Sequence, residues 1–210
     1  MGNVSAPFGL RPVRHLNGMS WNGQTERCFV HADYATALFV GDPVLIDATT
    51  AVRDTTGKHL TVEIATAGNG NFISGVITSF EPRPGALGQN YKPASTEAYA
   101  NVVIDPDVIF HIQDNGLATP DKNMLGANAV LDDGAGSTAS GLSGWMLDVS
   151  TDAPAADASN QLIILKLANF PDNTLAAYAI WEVIITLHTL KSCGDATDSV
   201  SGGALGVIGA

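Results

Sequence analysis

The sequence predicts an all-β fold, either a single β-sandwich or a barrel, with a jelly roll as one topology that fits. Residues 178–190, YAIWEVIITLHTL, alternate at period two, and the face from Trp181 to Leu187 is apolar while the other face carries the polar groups. Many short apolar stretches are separated by Gly, Pro, Asn or Asp, a pattern typical of sandwiches and barrels. A helical period of 3.6 residues is hard to find over about ten residues.

Residues 1–25 are predicted to form an extended N-terminal arm. The segment contains Arg11 and Arg14 and has no acidic residue, although the whole chain has a formal net charge of −11. About 25 extended residues can span up to ~80 Å, so such an arm could reach a neighbouring molecule. Pro7 and Pro12 restrict the arm and reduce the entropy that it loses on ordering.

Residues 26–190 are predicted to form the β-sandwich or barrel body. β-branched and apolar residues dominate its strand candidates, and turn residues lie between most neighbours. A single turn of helix is the most that residues 32–39 would form. The strand candidates in chain order are residues 27–31, 43–47, 61–65, 72–80, 99–104, 107–114, 145–149, 161–170 and 178–190.

Three segments are predicted to leave the regular sheets. Residues 81–96, EPRPGALGQNYKPAST, contain three prolines and should form a loop excursion from the body. Residues 132–144 are a second loop, composed mainly of small residues. The Gly/Ser/Ala-rich tail at 191–210 lacks strand periodicity, which is typical of a flexible end or of a second arm that orders against a partner.

The charge and composition exclude several classes of function. An acidic body repels nucleic-acid phosphates and anionic membranes, so neither is an expected partner. The most apolar stretch, 178–190, is too short for a membrane span and contains Glu182. No signal peptide is visible at the N-terminus, so a soluble protein made in a reducing cytoplasm is expected. Cys28 and Cys193 form no disulfide framework, although a single pair between them stays open.

No arrangement of residues in the sequence predicts catalysis. Metal-binding spacings such as HExxH and CxxC, the GxSxG nucleophile motif and the phosphate-binding loop are all missing. The carboxylate pairs Asp105/Asp107 and Asp132/Asp133 are better explained as turns, with calcium ligation or acid–base chemistry as minor alternatives. We therefore expect a protein that is not an enzyme and has no cofactor, metal or catalytic residue.

Several stretches resemble a family of head decoration, or cement, proteins of tailed bacteriophages. The most specific are PFGLRPVRHLNG at 7–18 and DPDVIFHIQ at 105–113. The resemblance extends from the N-terminal arm to about residue 190, and the tail shows none. The other similar stretches are ALFVGDPVLID (37–47), FEP (80–82), ASTEAYANVVIDPDVIFHIQDNG (94–116), GLSGWMLDVS (141–150) and NQLIILKLANFPDN (160–173).

This resemblance implies a structural virion protein on the outer face of a phage capsid, synthesised in the host bacterial cytoplasm. Its partners would be the major capsid protein and further copies of itself, with a trimer favoured over a dimer. The arm would carry much of the binding, and the body should fold without it because the predicted strands begin later. The expected interface residues in the arm and in the loop are Phe8, Leu10, Arg11, Arg14, Trp21 and Tyr91.

Two alternatives remain from the sequence. A receptor- or carbohydrate-binding β-sandwich of a phage particle could use Trp21, Trp145 and Tyr91 as sugar platforms, although Trp145 also fits a core position. A hydrolase would need convergent carboxylates in a cleft. The arm, for its part, could simply cover an edge of its own sheet, as N-terminal segments often do.

Overall fold

The structure, a computed structural model, describes residues 3–47 and 53–191 and is all-β, as predicted. The single helical element among these residues is a 3₁₀ turn over Lys122–Met124, and no helix there has the length and apolarity to cross a bilayer. The strands are β1 (Arg11–His15), β2 (Glu26–Val30), β3 (Pro43–Ile46), β4 (Val62–Ile64), β5 (Gly75–Phe80), β6 (Ala98–Val103), β7 (Val108–Gln113), β8 (Asn128–Ala129), β9 (Leu131–Asp132), β10 (Met146–Leu147), β11 (Leu162–Leu167) and β12 (Ile180–Ile185).

The first sheet is antiparallel, with strand order β1-β7-β12-β11-β8. The period-two pattern read in the sequence sets its faces, because Trp181, Val183 and Ile185 of β12 all point into the main hydrophobic core. β7 contributes Phe110 and Ile112 to the same core. The opposite face carries Glu182, which lies beside His111 of β7 in the register of the two strands.

The second sheet has strand order β2-β6-β5-β3-β4 and curls into a small barrel. Its first and last strands meet where the Phe29 N–H donates to the Leu60 carbonyl at 2.8 Å and Phe29 bridges Thr61. All five strands contribute side chains to one separate core inside this barrel. These side chains are Cys28, Val30, Val44, Ile46, Val62, Ile77, Ala100 and Val102.

The barrel packs on the first sheet through its outer wall. Val76 of β5 and Val103 of β6 alternate away from the barrel interior and join the main core. The β9–β10 ribbon covers another part of that core with Leu131 and Leu147. The two hydrophobic cores therefore lie on opposite sides of the barrel wall. The sequence predicts a sandwich or a barrel, and the structure contains both: a barrel, and a sheet packed against its wall.

The N-terminal segment differs from the prediction. Residues 3–10 are extended, but Arg11–His15 form β1 at the edge of the first sheet, so the expectation that the strands begin at residue 27 is wrong. Leu10 is only 1% exposed and lies in the main core. The chain then turns back over β1, where the His15 N–H donates to the Met19 carbonyl at 2.8 Å. The structure thus shows the alternative in which the segment covers an edge of its own sheet.

The loops follow the sequence more closely. Residues 81–96 contain no strand, and Lys92 attaches this excursion to the body through a bridge to Leu38. Residues 32–39 form turns and no helix. The predicted tail beyond residue 191, with the possible pairing of Cys193 to Cys28, lies outside the described residues.

Candidate protein-binding surface

Hydrogen bonds fix the first residues of the chain to the end of the first sheet. The side chain of Gln113, at the end of β7, donates to the Val4 carbonyl at 3.0 Å and accepts from the Ala6 N–H at 2.8 Å. The Asn3 amide donates to the Thr174 carbonyl at 2.9 Å and accepts from the Thr174 N–H at 3.1 Å. Residues 3–6 are therefore held against both β7 and the loop between β11 and β12.

An apolar groove of about 580 Å³ lies between this N-terminal segment and the β11–β12 loop. Two of its apolar side chains are unusually exposed for their type, Val4 at 74% and Phe170 at 44%. Neighbouring apolar side chains that remain open to solvent are characteristic of protein-binding surfaces. The groove is lined by Val4, Phe8 and Arg11 on the N-terminal side, Phe170, Asp172 and Tyr178 on the loop side, and Leu142.

Arg11 and Phe8 form the N-terminal wall of the groove. The Arg11 guanidinium lies over the Phe8 ring, 4.7 Å from its centroid, and the Arg11 side chain is exposed. Among the described residues no carboxylate lies within ion-pair distance of Arg11. This wall therefore presents a positive charge on an aromatic ring. Arginine and aromatic side chains are enriched among the residues that dominate binding at protein interfaces.

Arg14 has a different environment, although the sequence analysis grouped it with Arg11. Its guanidinium forms an ion pair of 2.8 Å with Glu182, which is 6% exposed in the middle of β12. Lys166 and His111 approach the same carboxylate at 3.2 and 3.7 Å. Burial acts to raise the pKa of Glu182, but the hydrogen bonds from Arg14 and Lys166 outweigh it and hold that pKa below its ordinary value. Arg14 thus stabilises its own sheet.

Tyr178 forms part of the opposite wall in a strained backbone conformation, with φ at 64°. Its N–H donates to Asp114 at 2.7 Å, and its carbonyl accepts from Gln113 at 3.0 Å. The ring lies directly against Gly116, where a Cβ would stand 2.4 Å from a ring carbon. The surrounding residues therefore enforce the strain and fix the position of the ring beside the groove.

Asp114 organises this end of the sheet from beneath. Its buried carboxylate also accepts hydrogen bonds from the Ala179 N–H at 2.9 Å and from the Trp181 indole N–H at 3.1 Å. Burial raises the pKa of Asp114, and the hydrogen bonds from Trp181 and from the backbone oppose that effect. The carboxylate joins the end of β7 to the start of β12 and so positions the loop-side wall.

The other residues predicted for an interface lie elsewhere. Leu10 belongs to the core, and Trp21 is half-buried against it. Tyr91 stacks on Phe39 with ring centroids 5.2 Å apart and an angle of 12° between the rings. Of the six predicted interface residues, the structure brings only Phe8 and Arg11 to the groove.

The loop-side wall is not predicted by the sequence pattern. Phe170 was placed at the end of a strand and Tyr178 at the start of one, whereas β11 ends at Leu167 and β12 begins at Ile180. The aromatic residues that flank Pro171, Asp172 and Asn173 were the signal available. A period-two pattern alone does not show where pairing stops.

A larger cleft, of about 750 Å³, lies between the barrel and the loop that follows β9. Asp42 in its wall accepts a hydrogen bond from the Phe39 N–H at 2.8 Å, and burial raises the pKa of Asp42 to about 6. The aromatic residues that line the cleft, Phe39 and Trp145, are themselves buried. Their rings serve mainly to pack the fold, so this cleft is the weaker candidate for a binding surface.

The Asp105/Asp107 pair lies at a turn, as predicted, whereas Asp132 lies in β9 opposite Met146, so the turn predicted at Asp132/Asp133 is wrong. The Asp105 carboxylate accepts from the Asp107 N–H at 2.9 Å and lies 3.1 Å from the His15 ring. Asp132 accepts from the Asn115 amide at 3.0 Å. Across residues 3–47 and 53–191, no cluster of three or more His, Cys, Asp or Glu side chains is arranged to hold a metal ion.

Comparison with protein-family models, with curated proteins and with solved structures finds no match for this chain. A functional assignment therefore depends on the chemistry of the groove and on the stretches identified in the sequence. The groove and these stretches overlap, because Phe8 and Arg11 in one of its walls belong to PFGLRPVRHLNG.

Proposed function

We propose that this chain is a non-enzymatic structural protein that binds the outer surface of a phage capsid and cements neighbouring capsomers. The observation that carries the proposal is the pairing of the two most distinctive stretches of the sequence. PFGLRPVRHLNG contains β1 and DPDVIFHIQ contains β7, and these strands are direct neighbours in the first sheet. Together they contribute Phe8, Arg11 and Gln113 to the lining of the groove.

The charge of the chain supports a position outside the shell. With a formal net charge of −11, the protein would be repelled by packaged DNA but tolerated on the outer face of a capsid. Many copies bound at equivalent sites would each add buried area between capsomers, so modest individual affinities would sum over the lattice.

We also propose that the protein acts as a small homo-oligomer, with a trimer favoured over a dimer. Closed symmetry is the rule for identical subunits, and a capsid lattice offers matching symmetry axes. The exposed apolar side chains around the groove are available for contacts with the shell or with a sister subunit.

A receptor- or carbohydrate-binding role has less support from the side chains. Trp145 is buried, Trp21 packs against the main core, and Tyr91 is stacked on Phe39. Flat, open aromatic faces of the kind that bind sugars are therefore not offered by these three residues.

Co-sedimentation with undecorated heads of the cognate phage tests the proposal. The purified protein should pellet with the heads and saturate at a fixed number of copies per capsid. The heads should also survive higher temperature or lower ionic strength after decoration. Failure to pellet with heads, combined with binding to a glycan array, would replace this function with the carbohydrate-binding one.

A further inference from the structure

We infer that the apolar groove binds an extended segment of the capsid protein, with apolar side chains inserted between Phe8 and Phe170 and a carboxylate paired with Arg11. The inference rests on the proposed function and adds the chemistry of the recognised segment. It assigns the groove, rather than a free sheet edge, as the docking surface.

The size and lining of the groove favour a short segment. About 580 Å³ is in the range of sites that enclose a few side chains. Its walls are aromatic and aliphatic, with Phe8 on one side and Phe170 on the other. Phe170 is further oriented by an edge-to-face contact with the His111 ring at 5.2 Å. Apolar anchors of a partner would bury well between such rings.

The walls are positioned before any partner binds. Asn3 and Gln113 hold the N-terminal wall by hydrogen bonds, and Asp114 holds the backbone of Tyr178 on the loop side. A site that is already ordered loses less entropy on binding. This explains why a strained conformation at Tyr178 is retained next to the groove.

The two charges at the groove give the docked segment a direction. Arg11 has no acidic partner among the described residues, whereas Asp172 is an exposed carboxylate on the opposite wall. A guanidinium can form paired hydrogen bonds with a carboxylate, and Asp172 would repel a carboxylate placed beside it. The acidic residue of the partner is therefore expected at the Arg11 end.

An edge-strand mode of docking is disfavoured by the same region. Pro12 of β1 has no N–H to offer to an added strand. Beyond it, the His15 N–H and the Val13 carbonyl are used by the Met19 carbonyl and the Trp21 N–H of the same chain. A partner segment is therefore expected to bind through the side chains of the groove and not by backbone pairing with β1.

The test compares charge variants for binding to undecorated heads of the cognate phage. R11A should weaken binding by about tenfold or more, as expected for loss of a charge-assisted hydrogen bond. R11E should weaken it further. D172N removes the carboxylate on the opposite wall that would repel an acidic residue of the partner, and should bind more tightly than the wild type. Melting temperatures of the free variants should stay unchanged, because both side chains are exposed.

A covalent readout identifies the partner group. R11K places an amine at the same position, and a water-soluble carbodiimide joins an amine to a contacting carboxylate as an amide. Mass spectrometry of decorated, treated heads should then show position 11 linked to an Asp or Glu of the capsid protein. The wild type, which has Arg11 and the same native lysines, is the control for cross-links that do not involve position 11.

The outcomes separate this inference from the proposed function. If the wild type does not bind heads, the function itself is wrong. If it binds and R11A and R11E bind equally well, the groove assignment is wrong while the function stands. If D172N weakens binding as much as R11A, the recognition is not by a carboxylate at Arg11. Should R11A unfold, R11Q, which keeps most of the side chain, replaces it in the comparison.

Discussion

Single residues in this protein show how position decides the role of a charge. Arg11 and Arg14 are three positions apart on β1, yet one faces the groove without an acidic partner and the other pairs with buried Glu182. Asp42 and Asp114 are both buried carboxylates with raised pKa values, because burial disfavours the charged form. The environment of Asp42 leads to a prediction that can be measured on the free protein.

The first residue-scale prediction concerns Asp42. Its pKa is about 6 in the folded state against an ordinary 3.8, so the folded protein binds a proton more readily than the unfolded chain. The contribution of Asp42 to stability is therefore full below about pH 4 and is lost as the pH rises through 6. Asp42→Asn should remove this slope and raise the free energy of unfolding at pH 7 by about 1–3 kcal/mol. Urea unfolding at pH 4.5 and 7 measures the effect.

The exposed neighbour Asp133 provides the matched control for that experiment. Asp133→Asn should leave both the stability and its pH dependence almost unchanged. An Asp42→Asn variant with the same pH slope as the wild type would contradict the assignment.

The second residue-scale prediction concerns Gly116. Its φ is +66°, and an added Cβ would lie 2.4 Å from the Tyr178 ring. Gly116→Ala should therefore destabilise the protein by about 2–4 kcal/mol, through backbone strain and a clash with a ring that cannot move freely. Gly57→Ala tests the strain alone, since Gly57 has a φ of +65° with nothing within 4 Å of the added atom. Equal losses in the two variants, by thermal unfolding, would mean that Tyr178 is mobile.

At the scale of elements, β1 pairs with β7 through its backbone, and an ion pair between half-buried Arg14 and buried Glu182 connects it to β12. Arg14→Ala leaves Glu182 buried with Lys166 as its remaining close cation, and should cost about 1–3 kcal/mol of folding stability. Arg11→Ala should cost almost nothing in the free protein. The difference in the free energy of unfolding between the two variants should shrink as the pH falls below the ordinary Glu pKa of 4.5. A protonated Glu182 is neutral, so loss of the Arg14 cation then costs little. Chemical denaturation of both variants checks this, and equal stabilities at pH 7 would contradict it.

The same element shows what the sequence could and could not predict. Trp181, Val183 and Ile185 carry an alternation strong enough to identify β12 and the all-β class. β1 was missed because RPVRH contains a proline and two arginines and has no apolar alternation. Its pairing with β7 depends on tertiary contacts made by Leu10 and Glu182, far apart in sequence. The local strand propensity of a segment does not depend on such contacts and so cannot predict them.

The groove was only half predictable for a related reason. Phe8 and Arg11 could be identified because a basic segment stands out in an acidic chain. Phe170 and Tyr178 could not, because their exposure depends on where β11 and β12 stop pairing. That boundary is set by Asp114 and Asn173, whose side chains take up backbone groups of the loop. Side-chain hydrogen bonds of this kind leave no periodic signal.

At the scale of the whole molecule, a small barrel packs on a covering sheet, and an apolar groove lies at the end of that sheet, where we propose that the capsid protein docks. The fold protects its sheet edges, since β2 meets β4 and residues 16–21 cover β1. Unwanted strand-to-strand association is thereby limited. Val4 and Phe170 remain exposed at the groove, where a partner would bury them.

The most direct test of this account is a cryo-electron microscopy reconstruction of cognate heads mixed with the purified protein. The account predicts added density on the outer surface at symmetry-related positions. In that density the groove between residues 3–11 and 170–178 should face the capsid protein. Heads without added density, or a bound protein whose groove faces solvent and touches neither capsid nor sister subunit, would contradict the central claim.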